Sequence, residues 1–240
     1  MFKYLKINIL FVILFSLTSF ELLAANKYWV ASDCSVTNYF DDRANWSLSA
    51  NGSGGEQKPR SMDRAIFGWN ASSSDCDAEI RRRADIQGLL VKGNYDGTVK
   101  VNDNITLKIR QHFALHGTIL LGTDAKLNTN EATSHIYNGG TLSAANALQV
   151  RIFRTLKIHS GGTFIAPAKA TIFKGSFQNY GTFTHSNGTV TFAPRNNSYL
   201  VHTNGTGTGK DFYNVIKNNR NKTLRMDCRT WFEFQSSIPS

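Results

Sequence analysis

A three-residue phrase, glycine–threonine–apolar, returns along this chain at nearly constant steps. It stands at Gly97-Thr98-Val99, Gly117-Thr118-Ile119, Gly140-Thr141-Leu142, Gly162-Thr163-Phe164 and Gly181-Thr182-Phe183, with steps of 20, 23, 22 and 19 residues. A shorter echo, Gly188-Thr189-Val190, follows the last of these. Self-similarity at this period marks a solenoid, whose coils cannot bury their apolar faces singly and so stack. In such a coil glycine supplies a positive φ or a close backbone approach, and threonine opens a strand. The apolar residue then points inward and packs on its equivalent one coil away, about 4.8 Å along the axis. Gly97, Gly117, Gly140, Gly162, Gly181 and Gly188 are therefore expected at coil corners.

The remaining pattern agrees. Apolar stretches are short, β-branched or aromatic, and alternate at period two, as in Thr98–Val101, Ile105–Ile109 and Thr189–Phe192. Helix signals are scarce. The expected fold is all-β, a right-handed parallel β-helix. A β-sandwich is the alternative, since it too has short strands with glycine turns, but its turn signals come every 8–12 residues without preserving a phrase.

Three segments follow. Lys3 and Lys6, the apolar run Ile9–Phe15 and the small residues Ala24 and Ala25 read as a signal peptide over residues 1–25. The run is too short to span a bilayer, and no later stretch is long and apolar enough for a membrane helix. Residues 26–80 concentrate Trp29, Trp46, Trp69, many acids and two cysteines, and are expected to cap the solenoid's open end. Residues 81–240 form the repeat region. Export implies an oxidising compartment, a secreted or cell-surface location, and a Cys34–Cys76 disulfide, since both cysteines flank one Gly/Ser-rich segment. Cys228 is left over, read as a buried small residue.

Within these segments the words "YWV…NWS…GG…P…D-x-A-I-F", "GTFTHSNGTVTF" and "DFYNVIKNNRNKTL" resemble the N-terminal region and repeat units of large exported bacterial surface proteins. Those proteins carry autotransporter- or haemagglutinin-like β-helical repeats. The resemblance spans nearly all the chain after residue 25 and implies a surface-exposed or secreted β-helix with an adhesive or structural role. The chain departs from the pattern in lacking a long repeat array, a C-terminal barrel and a sorting domain, so residues 81–240 are expected to be a short relative or a piece.

The whole chain has 27 basic and 17 acidic residues, net +10; without Lys3, Lys6 and Glu21 it is +9. Such a balance favours polyanions, weakly and in a salt-sensitive way. The basic cluster Arg81–Arg83, read as strand with Arg81 and Arg83 on one face, together with Lys92, Lys100, Lys108 and Arg110, suggests a basic ladder. Its partner would be an acidic polysaccharide or surface glycan; sequence-specific nucleic acid is not expected.

Enzyme chemistry finds little footing. Glycoside hydrolysis ordinarily uses two facing carboxylates, yet Ala132–Lys210 contains no Asp or Glu. Asp103 and Asp124, 21 residues apart, could meet across one coil step and are otherwise turn residues. A polysaccharide lyase with an Arg or Lys base is the rival, requiring Arg81, Arg83, Lys100 and Asp103 to line one groove. His112 and His116 stand at i,i+4, which chelates zinc from a helix; on a strand they lie roughly 13 Å apart, beyond one ion's reach. Acids of the first segment lack EF-hand spacing, and "GTGTGK" at 205–210 departs from the phosphate-loop pattern at Asn204 and Asp211. No cofactor or metal is expected.

Overall fold

A computed structural model describes residues 24–69, 76–130, 133–195, 198–204, 208–218 and 223–226. Most of the signal-peptide segment and Cys228 lie outside the described residues. No helix among the described residues is long and apolar enough to cross a membrane.

The chain begins with β1 (Asn26–Trp29), β2 (Asn38–Tyr39), a 3-10 turn at Arg43–Asn45, β3 (Trp46–Ser47), β4 (Arg64–Phe67) and β5 (Ala78–Ile80). Next come β6 (Ala84–Val91), β7 (Thr98–Val101), β8 (Thr106–Leu115) and β9 (Thr118–Leu121). Three regular coils follow, each of three strands. They are β10 (Lys126–Thr129), β11 (Thr133–Ile136) and β12 (Thr141–Ser143); β13 (Gln149–Ile152), β14 (Leu156–Ile158) and β15 (Thr163–Ile165); and β16 (Ala170–Phe173), β17 (Phe177–Asn179) and β18 (Thr182–Thr184). β19 (Thr189–Phe192), β20 (Ser198–Thr203), β21 (Asn214–Lys217) and β22 (Thr223–Met226) complete the described chain.

Strands of one coil pair in parallel with those of the next, giving a β-solenoid of about 6 turns. The first face stacks the front half of β8, then β10, β13, β16, β19 and β21. The second stacks β1, β4, the rear halves of β6 and β8, then β11, β14, β17, β20 and β22. The third runs β2, β5, β7, β9, β12, β15 and β18. A sandwich would need antiparallel sheets; among the described residues only β1 and β3 pair that way. β6 and β8 run across the corner between the first two faces, with a register shift between Ile86 and Gly88.

The repeated phrase is the register itself. Val99 pairs with Ile119, Ile119 with Leu142, Leu142 with Phe164 and Phe164 with Phe183, and all five are fully buried. The other faces supply rows such as Leu107, Leu127 and Val150, or Val91, Leu115, Ile136 and Ile158. The filling changes along the axis: aliphatic through the middle coils apart from Phe113, and rich in phenylalanine from Phe164 to Phe192. At the N-terminal end Trp29, Phe40, Trp46 and Phe67 pack with ring centroids 4.9–5.6 Å apart. Their polar edges are satisfied, Trp46 Nε1 donating to Phe40 O at 2.7 Å and Trp29 Nε1 to Cys76 O at 3.1 Å. Cys76 is joined to Cys34 by the expected disulfide.

Gly97, Gly117, Gly140, Gly162 and Gly181 each precede a strand of the third face, whereas Gly188 precedes β19 on the first face and so marks a different corner. At Gly140, Gly162 and Gly181 the requirement is close approach rather than positive φ, which at the first two falls on the residue before, Gly139 and Gly161. A Cβ on Gly181 would lie 2.3 Å from Gly162 O and 2.4 Å from His159 O. Gly181→Ala must therefore push two coils apart, and we expect it to destabilise the fold by about 1–3 kcal/mol, as overpacking does. Urea denaturation of the variant checks this; an unchanged midpoint would show that the corner yields freely.

Candidate anion-binding site

The basic residues singled out in the sequence do not form one ladder. Arg81–Arg83 occupy the turn between β5 and β6, not a strand. Lys100 projects from the third face, Lys108 from the first, Arg110 from the corner crossed by β8, and Lys92 follows β6. Each of these elements also brings a partner. Arg81 donates to Asp41 at 2.9 Å and lies 3.6 Å over the Tyr39 ring, and Arg82 reaches the same carboxylate at 3.4 Å. Lys100 meets Glu79 at 3.2 Å. Arg110 grips Asp85 with both Nε and Nη2, at 2.7 and 2.9 Å, and Lys108 adds a third contact at 3.4 Å. Lys92 sits 5.3 Å over the Trp69 ring.

The carboxylates record these contacts. The Arg110 hydrogen bond holds Asp85 below the usual carboxylate range, and the Asn102 amide does the same for Glu79. Burial pushes Asp41 up, but the Arg81 and Arg82 guanidiniums outweigh it. Arg81, Arg82 and Arg83 do line a recess of about 180 Å³ with Lys58, although Asp41 and Asp85 enter the same wall. Carboxylates thus offset much of the positive charge around this recess.

A different set of cations converges three coils further on. Phe153, just past β13, carries Arg151 at 6.0 Å, Lys174 at 4.7 Å and Arg195 at 5.0 Å from its ring centroid. The placement follows from register. Arg151 points outward between inward Val150 and Ile152, and Phe153 and Lys174 occupy equivalent positions directly after β13 and β16. The backbone continues the ladder there, Phe153 N–H donating to Thr129 O and Lys174 N–H to Ile152 O. Burial, then the neighbouring Arg151 and Arg195, hold the Lys174 ammonium below its usual range. Arg151 Nε is buried without a hydrogen-bond partner. An anion seated among these groups would relieve the mutual repulsion and accept charge-assisted hydrogen bonds.

This cluster was missed in the sequence because Arg151, Lys174 and Arg195 stand 23 and 21 residues apart and belong to no motif. Aligning the coils on their glycine–threonine phrases sets Phe153 within two residues of Lys174, and the strand register, Ile152 opposite Phe173, completes the match. The surrounding stretch Ala132–Lys210 contributes Arg151, Arg154, Lys157, Lys169, Lys174, Arg195 and Lys210 and no acid, seven of the chain's ten net positive charges.

The other candidates resolve as local structure. Asp103 accepts from Thr123 N–H of the following coil's turn at 2.7 Å, and Asp124 pairs with Lys169. His112 bonds Arg64 at 3.0 Å, while His116 stacks on Tyr137. Among the described residues no group of three or more His, Cys, Asp or Glu side chains could hold a metal ion. No family model matches the chain, and neither a curated protein nor a solved structure matches it.

Proposed function

We propose that this chain is a non-enzymatic β-solenoid of the exported, adhesin-like or structural kind, whose cationic cluster around Phe153 holds an acidic polysaccharide. What carries the proposal is the convergence of Arg151, Lys174 and Arg195 on one ring in the part of the chain that brings no carboxylate of its own. Cations spaced around a half-buried aromatic offer a carboxylate or sulfate several donors, and the ring adds an apolar floor. A solenoid repeats such outward positions along its axis, which suits an extended ligand better than a small molecule.

The rival lyase finds less support. Of its required residues, Arg81 is engaged by Asp41, Lys100 by Glu79, and Asp103 by the turn of the next coil.

The test is binding of polygalacturonate and dextran sulfate to the purified chain at low salt, with neutral dextran as control. Arg151→Gln/Lys174→Gln/Arg195→Gln is expected to weaken binding about tenfold, roughly 1.4 kcal/mol. Arg81→Gln/Arg83→Gln should change it less than about twofold, because Asp41 already offsets the charge of that turn. Binding should also fade as salt rises. Equal losses from both variants would move the site to the recess. Appearance of unsaturated oligosaccharides during the incubation would favour the lyase.

A further inference from the structure

Five of the six histidines fall on the second face of the solenoid. His112 lies in an outward row beside Arg64, and His135 and His202 occupy the next row with Lys157 and Gln178. His116 and His159 belong to a third row, one residue past the strands, together with Tyr137 and Tyr180. The ladder still holds there, Tyr137 N–H donating to Leu115 O and His159 N–H to Ile136 O. His185 sits elsewhere, against Tyr213.

These rings form a stack. His116 and Tyr137 are 4.3 Å apart and within 5° of parallel, and Tyr137 and His159 are 4.4 Å apart at 14°. Tyr180 and His202 extend the stripe at 4.8 Å. His135 Nδ1 and His159 Nε2 are 3.0 Å apart, close enough to share one proton. Because ring faces are turned on one another, a sugar ring cannot lie on them, and a ligand meets ring edges instead. The charged groups facing these rings are all cationic: Arg64 against His112, Lys92 toward His116, and Lys157, which pairs with His135 and lies 5.2 Å over Tyr180. No Asp or Glu stands in these rows.

We propose that this histidine face is a second binding surface, specific for a linear polyanion laid along the solenoid axis, and that acid switches it on. At neutral pH the imidazoles are uncharged and the His135–His159 pair needs one acceptor nitrogen. A second proton makes both nitrogens donors, so the pair must part and turn N–H edges outward. Each protonation places a positive charge on one rung, and rungs repeat every 4.8 Å or so, a spacing that a chain of repeated sulfates or carboxylates can follow.

Burial first, and neighbouring cations second, hold His112, His116, His135 and His159 below the ordinary histidine value. Their contribution to stability is therefore full above about pH 6.5 and is lost as pH falls toward the lower folded-state values. A bound polyanion raises those values again, so binding takes up protons. The ligand class is shared with the Phe153 site, but the face is different and the proposal stands without it.

The experiment is calorimetric titration of the full chain with dextran sulfate at pH 7.5 and 5.5, in buffers of different ionisation heat and with EDTA present. Affinity should rise tenfold or more on acidification, with net proton uptake. His116→Gln/His135→Gln/His159→Gln should keep the affinity at pH 7.5 and lose the rise, whereas His185→Gln should keep both. If the triple variant misfolds, His159→Gln alone should halve the rise or better. A rise preserved in these variants overturns the proposal, as does binding without proton uptake. So does a pH response shown by phosphatidylglycerol vesicles and not by dextran sulfate, which would point to a membrane surface. Loss of binding only in the Arg151/Lys174/Arg195 variant would uphold the Phe153 site while rejecting this one.

Discussion

Phe177→Ala is expected to destabilise the folded chain by about 3–5 kcal/mol, the range for truncating a buried phenylalanine. Phe177 is fully buried on the second face and packs against Phe173, Phe183 and Phe212 with centroids 4.9–5.5 Å apart. Those rings come from three different strands or turns, so a single truncation opens a cavity that no one neighbour can refill. Phe212 is the most exposed to the loss, because it follows the turn at 208–210 and ties that segment to the core. In a solenoid each coil touches only its neighbours, so the damage should be local. Urea denaturation followed by hydrogen exchange should show early opening of β17 to β21, with β8 to β12 still protected. A uniform loss of protection would mean that the coils unfold as one unit.

Removing the disulfide should have an effect of similar size at the other end. Cys34 and Cys76 are separated by 42 residues, and closing such a loop contributes about 4 kcal/mol in the chain-entropy model. The bridge also fixes a carbonyl with two donors, since Cys76 O accepts from Trp29 Nε1 and from Tyr95 OH at 2.8 Å. Cys34→Ser/Cys76→Ser should therefore loosen the aromatic cluster of Trp29, Trp46 and Phe67. We expect a large fall in thermal midpoint together with loss of near-ultraviolet dichroism. A variant that melts like the parent would show the end is held by ring packing alone.

Much of this fold was written in the spacing of a few residues. The steps between the glycine–threonine phrases are the steps between paired Val99, Ile119, Leu142, Phe164 and Phe183, because one coil is one repeat and the inward residue follows the threonine. The disulfide was legible for a different reason, two cysteines astride one loop. Charge was harder. Arg81 and Arg83 stand out by adjacency along the chain, yet Asp41, 40 residues earlier than Arg81, lies against Arg81 and Arg82. Conversely Arg151, Lys174 and Arg195 are unremarkable in sequence and meet only because their coils stack. Gly188 shared the phrase but not the corner, since a glycine–threonine opening suits any strand that follows a tight approach.

Ion pairs gather in the front coils, Lys27 with Glu56, Arg81 with Asp41, Lys100 with Glu79 and Arg110 with Asp85, and Lys169 reaches forward to Asp124. Behind them the second half carries an excess of one sign. Such a rod is electrically lopsided along its length, and near a wall of fixed negative charge it feels a torque as well as a pull. It should settle with its phenylalanine-filled coils against that wall and its tryptophan end turned away, leaving the disulfide-bound loops as the outermost part of the molecule.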